Sequence, residues 1–162
     1  MPYIKFFEKS DLTNSTAQII CHQVNCQGKM GSGVALAIRN KFPNVYNEYI
    51  FKHNNGGTKL GDLQIVEINS NCRNTKEHSQ FVANIAGQFN YGYDGKRYTS
   101  YDALVTAFEK LSQYCIENNI TSIALPDKFG CARGGADWDI VTIILKKTFE
   151  KNTNLTIEIH SF

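Results

Sequence analysis

A glycine-rich stretch that begins at His22 has the order of features expected of an anion-binding turn. The apolar run Ile19-Ile20-Cys21 precedes it, as a short buried strand would, and a helical pattern begins at Val34. Three glycines separate the two: Gly28, Gly31 and Gly33. In such a turn the backbone N–H groups converge, and the N-terminus of the helix adds partial positive charge. The stretch therefore predicts a site for a small ligand that carries phosphate.

A second loop with the same organisation follows the apolar run Ile123-Ala124-Leu125. It extends from Pro126 to Trp138, is rich in glycine, and has Asp137 where it would cap the next helix. Ligands of open α/β sheets bind at the carboxyl ends of strands, so two such loops predict two phosphates held from both sides, as in a pyrophosphate. Either loop alone is better explained as a tight turn, because neither matches a dinucleotide fingerprint or a P-loop.

Short apolar runs alternate with helical patterns along the chain, which is typical of strands separated by helices. The predicted strands are residues 3–7, 18–24, 62–68, 80–86, 122–125 and 155–160. The predicted helices are residues 34–41, 43–52, 100–118 and 137–147. This order predicts a largely parallel sheet with helices on both faces, which is the three-layer α/β/α sandwich of an α/β protein. Residues 1–162 are predicted to form a single domain. The polar stretch 69–77 is predicted to be a loop.

The composition is that of an ordinary soluble globular protein, with 42% hydrophobic and 20% charged residues. The net charge is only +2 and both signs are scattered, which argues against a basic nucleic-acid arm or a polybasic membrane patch. The chain shows no signal-peptide pattern and no apolar run of about 18 residues, so we expect no membrane association. An odd number of cysteines without a C-x-x-C pair indicates reduced thiols and a cytoplasmic protein. Cys21 and His22 would point to opposite faces of a strand, so we expect no metal site there.

Three motifs, taken together, resemble those of the macro domain family, which binds ADP-ribose. They are Ser10-Asp11-Leu12 after the first predicted strand, Val24-Asn25 with Met30-Gly31-Ser32-Gly33-Val34-Ala35, and the run from Gly130 to Trp138. The chain looks most like the small single-domain members that process ADP-ribose-1''-phosphate or remove ADP-ribose from proteins. The resemblance implies a mixed, mostly parallel sheet, ADP-ribose or a derivative as ligand, and no metal or organic cofactor. It also implies a monomer, with ADP-ribosylated protein or nucleic acid as potential partners.

The resemblance also implies roles for individual residues. Asp11 would accept a hydrogen bond from the adenine amino group, with Leu12 as a further ligand-binding residue. Asn25 would bind the hydroxyls of the distal ribose, and Phe162 would lie against adenine. The diphosphate would be wrapped by two sets of residues: Met30, Gly31, Ser32, Gly33 and Val34 on one side, and Phe129, Gly130, Cys131, Ala132, Arg133 and Gly134 on the other. Asp11 has a structural alternative as the cap of a turn at Thr13 or Asn14, and Phe162 has one as a core residue.

The candidate catalytic residues are His22 and Gln88. His22 lies three residues before Asn25, where the yeast-type ADP-ribose-1''-phosphate phosphatases also carry a histidine. The pKa range of histidine suits a general acid or a water-orienting base, and a turn after the strand would bring His22 and Asn25 to one pocket. The alternative is a half-buried strand histidine bonded to a neighbouring carbonyl group. Gln88 would position water, and Tyr101 is a further candidate pocket residue.

The leading hypothesis is therefore an ADP-ribose-binding hydrolase that acts on ADP-ribose-1''-phosphate or on ADP-ribosyl adducts. One branch of the family uses a lysine after the fourth strand and an aspartate in the second loop. Residues 84–88 offer no lysine and Gly134 replaces the aspartate, so a covalent lysine mechanism is not expected. These departures favour the second hypothesis, a non-catalytic ADP-ribose reader. The third, a general nucleotide or RNA-end binder, is disfavoured by the modest net charge.

Overall fold

The structure, a computed structural model, describes residues 1–68 and 79–162. The described strands are β1 (Tyr3–Phe7), β2 (Ile19–Val24), β3 (Leu63–Glu67), β4 (Phe81–Ala86), β5 (Ser122–Pro126) and β6 (Thr156–His160). The described helices are α1 (Gly33–Lys41), α2 (Pro43–Asn54), α3 (Tyr101–Glu117) and α4 (Trp138–Thr148), together with a 3-10 helix at Leu12–Asn14. The predicted loop 69–77 lies outside the described residues.

The predicted strands and helices are confirmed, and no bound differs by more than two residues. The capping chemistry explains where two helices begin. The Ser100 side chain accepts the N–H of Ala103 before α3, and the Asp137 side chain accepts the N–H of Asp139 before α4. Helix α1 ends just before Pro43, which starts α2 because proline lacks the N–H that would continue α1. The 3-10 helix after β1 is the one described element that the sequence pattern does not predict.

The described strands form one sheet in the order β1-β6-β5-β2-β4-β3. Strand β3 is antiparallel to β4, and all the other neighbouring pairs are parallel. The sheet is therefore mixed and mostly parallel, as expected. Because β2 lies between β5 and β4, the residues that follow β2, β4 and β5 are neighbours in the middle of the carboxyl edge.

Two apolar cores hold helices against the two faces of the sheet. One core contains residues of α3 and α4, and the other contains residues of α1 and α2. Residues of β2 divide between them by alternation: Ile19 and Cys21 face α3 and α4, whereas Ile20 and Val24 face α1 and α2. The layers are those of an α/β/α sandwich. Within the described ranges, no helix is long and apolar enough to cross a membrane.

Candidate functional site

An open cavity of about 370 Å³ lies at the edge of the sheet where β2, β4 and β5 end. Its walls come from the glycine-rich loops that follow β2 and β5 and from the loop that joins β4 to α3. This is the position at which open α/β sheets bind ligands. The lining residues are Gln23, Val24, Asn25, Lys29, Gly31, Ser32, Gly33, Val34, Ala35, Gln88, Tyr91, Gly92, Tyr93, Pro126, Asp127, Lys128, Phe129, Gly130, Cys131, Ala132, Arg133 and Gly134.

The side chain of Asn25 fixes the shape of the first loop. Its Oδ1 accepts hydrogen bonds from the backbone N–H of Gln27 at 3.0 Å and from the Tyr49 hydroxyl at 3.0 Å. Its Nδ2 donates to the carbonyl oxygen of Lys29 at 2.9 Å. Gly28 has a φ of +75°, and a Cβ there would come within 2.8 Å of a ring carbon on α2. These bonds and contacts hold the turn against α2 before it reaches the cavity.

Gly31 and Gly33 leave the cavity side of the first loop open. A Cβ at either position would meet no atom of the described residues within 4 Å. Gly33 is the first residue of α1, and the side chain of its N-cap, Ser32, makes no capping hydrogen bond. The N–H groups in the first turn of α1 are therefore left for an anion in the cavity.

The second loop is held by close backbone packing. The carbonyl oxygen of Gly134 accepts the N–H groups of Tyr98 at 2.8 Å and Thr99 at 2.9 Å. A Cβ on Gly134 would collide with Thr99 Oγ1 and with the carbonyl oxygen of Gly130, so this position admits no side chain. Gly130 has a φ of +73°, in the left-handed region that favours glycine. Contacts inside the protein thus require glycine at position 134, whereas a Cβ at Gly31 would meet no atom in the described part of the chain within 4 Å.

Gln23 connects the elements at the floor of the cavity. Its Nε2 donates to Gln88 Oε1 at 2.6 Å and to Thr99 Oγ1 at 2.9 Å. The Thr99 hydroxyl donates to the carbonyl oxygen of Gly130 at 2.8 Å. Gln88 Nε2 donates to the carbonyl oxygen of Asn90 at 2.8 Å, so both ends of the Gln88 amide are held. We call Gln23, Gln88, Thr99 and Gly130 the floor network.

Two tyrosines from the loop between β4 and α3 stand at the mouth of the cavity. Tyr91 and Tyr93 line it and are 43% and 70% exposed. Arg133, from the second loop, stacks over the ring of Tyr93, with its guanidinium carbon 4.3 Å from the ring centre. A bridge between Gln88 and Thr99 closes the base of this loop.

The cavity lining carries more positive than negative charge. Among the described lining residues, the cations are Lys29, Lys128 and Arg133, and Asp127 is the only carboxylate. This balance suits a diphosphate. Burial, together with nearby carboxylates, raises the pKa of the Cys131 thiol to about 11, so this lining thiol is protonated at neutral pH and is a poor nucleophile. The described part of the chain contains no cluster of three or more His, Cys, Asp or Glu side chains that could hold a metal ion.

Most of the predicted ligand-binding residues border the cavity, and the exceptions are Asp11, Leu12, Met30 and Phe162. The residues brought together there are Asn25, Gly31, Ser32, Gly33, Val34, Phe129, Gly130, Cys131, Ala132, Arg133 and Gly134, with the predicted catalytic residue Gln88. Leu12 and Met30 are instead buried in the core that contains α1 and α2. Apolar packing occupies both side chains, so contact of Leu12 and Met30 with a ligand stays a prediction that only their backbones could meet.

Asp11 and Phe162 lie outside the cavity, after β1 and β6. Asp11 Oδ1 accepts hydrogen bonds from the backbone N–H and the hydroxyl of Thr13, at 2.9 and 2.8 Å, so Asp11 caps the 3-10 helix as its structural alternative proposed. Phe162 is 98% exposed, so the alternative of core packing is wrong. It lines a second cavity that shares Asp127 with the first. Contact of Asp11 and Phe162 with adenine stays a prediction.

His22 does not border the cavity, which corrects the expectation of a catalytic histidine. It is 1% exposed, and its Nε2 lies 2.5 Å from Asn84 Oδ1 on β4. Strand β2 stays extended through Val24, so alternation directs Gln23 to the cavity floor and His22 to the opposite face. Burial lowers the pKa of His22 to about 4, although the bond to Asn84 opposes this shift, so the ring is neutral at neutral pH. A histidine enclosed in this way has no access to a substrate.

Tyr101 is also outside the cavity. Its hydroxyl accepts the N–H of Asp137 at 2.9 Å, and its ring lies under the Arg97 guanidinium at 4.5 Å. It therefore connects the starts of α3 and α4. The lining residues that the sequence analysis missed include Gln23, Lys29, Tyr91, Tyr93, Asp127 and Lys128. The alternation of Phe89, Tyr91 and Tyr93 after Gln88 is a signal that could have identified the tyrosines.

The sequence matches the family model for the Macro domain over residues 21–145. The DNA ADP-ribosyl glycohydrolase of Mycobacterium tuberculosis is 23% identical over 145 residues, which cover 90% of this chain and 38% of that protein. The ADP-ribose 1''-phosphate phosphatase of Meyerozyma guilliermondii is 29% identical over 115 residues, which cover 68% of this chain and 65% of that protein. This chain therefore spans well under half of the length of the first relative and about two thirds of the second.

Comparison with a solved structure also identifies the fold. The macrodomain of Mycobacterium tuberculosis DarG is similar with a TM-score of 0.84 at 21% identity, and the match covers 99% of this chain and 98% of that one. At this level of identity the match shows a shared fold, while the chemistry has to be argued from the residues at the site.

Proposed function

Since the chain belongs to the macro domain family, we propose that it binds ADP-ribose in the cavity and hydrolyses a bond to the distal ribose. The observation that carries this proposal is the pair of glycine-rich loops on opposite sides of one positively charged cavity. The names of the two curated relatives, a DNA ADP-ribosyl glycohydrolase and an ADP-ribose 1''-phosphate phosphatase, support it.

The order of the strands supports an extended path for the ligand. Strands β1 and β4 are four strand spacings apart in the sheet, or about 19 Å. On the proposed path, adenine lies near Asp11 and Phe162, after β1 and β6. The diphosphate lies between the loops that follow β2 and β5, where the first turn of α1 presents its N–H groups. The distal ribose then lies near Asn25 and Gln88, after β2 and β4.

The proposed reaction breaks a bond at C1'' of the distal ribose. Water attacks C1'', the bond from C1'' to the attached oxygen or nitrogen breaks, and the leaving group takes up the proton that the water loses. With ADP-ribose-1''-phosphate, water would instead attack phosphorus and the P–O bond to the C1'' oxygen would break. That oxygen takes up the proton that the water loses, which gives ADP-ribose and inorganic phosphate. We assign the positioning of this water to Gln88, because Gln23 and Asn90 fix its amide at the β4 end of the cavity.

One observation favours a second candidate, a reader that binds ADP-ribose without turnover. The described lining residues include no histidine, and their one carboxylate, Asp127, follows β5 rather than β4. No described carboxylate or imidazole therefore lines the cavity beside the proposed position of the distal ribose, where a general base would act.

Two measurements test these candidates. Calorimetric titration should show that ADP-ribose binds more tightly than ADP, because ADP lacks the distal ribose. Incubation with ADP-ribose-1''-phosphate and with an ADP-ribosylated oligonucleotide should release phosphate or ADP-ribose, and Gln88→Ala should lower turnover more than binding. Binding without any product would identify a reader. A wild-type protein that does not bind ADP-ribose would contradict both candidates.

A further inference from the structure

Three aromatic side chains of one loop are exposed beside the mouth of the cavity. Phe89, Tyr91 and Tyr93 alternate along the loop between β4 and α3, and Phe89 is 58% exposed, between the values of the two tyrosines. We call these three residues the aromatic rim. Exposed aromatic rings grouped in this way forgo the burial that usually stabilises them, which is typical of a binding surface.

Hydrogen bonds hold the loop that displays the rim. The backbone N–H of Cys26 donates to the carbonyl oxygen of Phe89 at 3.0 Å, and the Tyr98 hydroxyl donates to Asp94 Oδ1 at 2.8 Å. A Cβ on Gly92 would collide with the Tyr98 hydroxyl, so the two halves of the loop pack closely. A surface fixed in this way loses little conformational freedom when it binds a ligand.

Cationic side chains accompany the rim. Arg133 stacks over Tyr93, and Lys29 lines the same cavity. Lys96 and Arg97 follow the rim in the same loop and are exposed. Single-stranded nucleic acid is bound by this combination, because its bases stack on aromatic rings while its phosphates meet lysine and arginine.

The rim lies at the end of the proposed ligand path where an attached group would emerge. It follows β4, whereas Asp11 and Phe162 follow β1 and β6 toward the other end of the sheet. Gln88, beside the proposed distal ribose, immediately precedes Phe89. A group bonded to C1'' would therefore meet the rim, and adenine would not.

We propose that the aromatic rim is a stacking subsite for a nucleobase of a single-stranded nucleic acid that carries ADP-ribose. Tyr93 is the main platform, because it stays 70% exposed even with Arg133 stacked on it. Arg133 pairs with an adjoining phosphate. This inference rests on the proposed function and names the substrate class of that site. A phosphate or a glutamate side chain at C1'' offers no aromatic face, whereas a base provides a partner for the rings and its strand provides one for the cations.

The test compares the binding of three probes to the wild type and to Tyr93→Ala. The probes are ADP-ribose, a short single-stranded DNA oligonucleotide, and a peptide, the last two carrying ADP-ribose through a C–C bond that water does not cleave. The wild type should bind the oligonucleotide probe more tightly than ADP-ribose. Tyr93→Ala should weaken binding of the oligonucleotide probe, relative to that of ADP-ribose, by about 5- to 150-fold, which is the range for the loss of one base–aromatic stack.

Two control variants define the contribution of the ring. Tyr93→Phe should keep the preference because it keeps the aromatic face. Tyr3→Ala should also keep it, because Tyr3 is 66% exposed but lies on β1, away from the rim. Equal wild-type affinity for the oligonucleotide probe and ADP-ribose would overturn this inference alone. A peptide probe that binds as tightly and depends equally on Tyr93 would also overturn it, whereas failure to bind ADP-ribose at all would overturn the proposed function itself.

Discussion

Two polar networks on opposite faces of β2 differ in what surrounds them. In the buried network, formed by His22, Asn84 and Gln64, His22 Nε2 lies 2.5 Å from Asn84 Oδ1, and Asn84 Nδ2 donates to Gln64 Oε1 at 3.0 Å. It joins β2, β4 and β3 on the side of α1 and α2. The floor network joins β2 and β4 to the second loop, directly below an open cavity.

His22 and Gln23 are adjacent in sequence, yet only Gln23 borders the cavity. In the buried network His22 and Asn84 are buried, Gln64 is half-buried, and His22 Nδ1 has no hydrogen-bond partner among the described residues. Its two bonds join three strands away from the cavity, so the network contributes to stability and to strand register. The floor network uses bonds of the same kind to hold Gln88 and Gly130 beside space that a ligand can enter. Changes in the buried network should therefore alter stability without altering ligand affinity, and changes in the floor network should alter both.

The largest expected effect is a loss of stability in acid through His22. Burial lowers its pKa to about 4 in the folded protein, against an ordinary value of 6.5. As the pH falls through this window, the unfolded chain takes up a proton that the folded protein excludes. The free energy of unfolding should therefore fall with pH, by about 3 kcal/mol in all near pH 4. Urea denaturation at several pH values measures this slope.

His22→Gln separates this effect from ordinary acid unfolding. Glutamine does not titrate, and its amide can still donate to Asn84, so the pH dependence between about 6.5 and 4 should shrink. Affinity for ADP-ribose at neutral pH should not change. An unchanged slope would exclude His22 as the source, and a large loss of affinity would contradict the separation of the two networks.

Gly134→Ala should have the next largest effect, because it acts on the packing of the floor network. The added methyl group would collide with Thr99 Oγ1 and with the carbonyl oxygen of Gly130, so the second loop has to move. The free energy of unfolding should fall by about 1–3 kcal/mol, and ADP-ribose should bind more weakly. Gly31→Ala is the matched control for stability, since a Cβ there meets no atom within 4 Å among residues 1–68 and 79–162. Equal stability of the two variants would show that the second loop is not tightly packed.

The strands, the helices and the two glycine-rich loops could be predicted because their signals are local. Apolar runs mark the strands, Ser100 and Asp137 cap the helices that follow them, and Pro43 separates α1 from α2. Parallel strands end at one edge of a sheet, so the two loops were also predictable as neighbours. The cap at Asp11 is equally local, because both of its bonds go to Thr13, two residues away.

The orientation of β2 could not be predicted, because its signal is not local. The strand is buried almost throughout, so polar and apolar residues do not alternate along it. Its orientation follows from pairing with β4, where His22 lies opposite Asn84. The alternation of the three aromatic rings is a local signal, but their position beside the cavity is not. Their loop is fixed from a distance, through the carbonyl oxygen of Gly134, which accepts the N–H of Tyr98.

Gln23→Leu should have a smaller effect on stability and a clear effect on the site. The variant loses the two hydrogen bonds to Gln88 and Thr99, which together contribute about 1–2 kcal/mol to the free energy of unfolding. It also releases the Gln88 amide, so ADP-ribose binding and any turnover should weaken. Gln64→Leu is the matched control in the buried network, because it removes an amide of the same type that accepts from Asn84. A similar loss of ADP-ribose affinity in both variants would remove the distinction between the networks.

Gly31→Ala should have the smallest effect on folding and still weaken binding. A Cβ at Gly31 meets no described atom within 4 Å, and the backbone there is outside the left-handed region. The free energy of unfolding should therefore stay the same or rise by less than about 1 kcal/mol. The methyl group would, however, stand on the side of the first loop that lines the cavity. If the first turn of α1 holds the diphosphate, ADP-ribose should bind about fivefold more weakly, equivalent to about 1 kcal/mol, in a calorimetric titration. Weaker binding at full stability would show that this glycine serves the ligand, whereas unchanged affinity would mean that the second loop holds the diphosphate without the first.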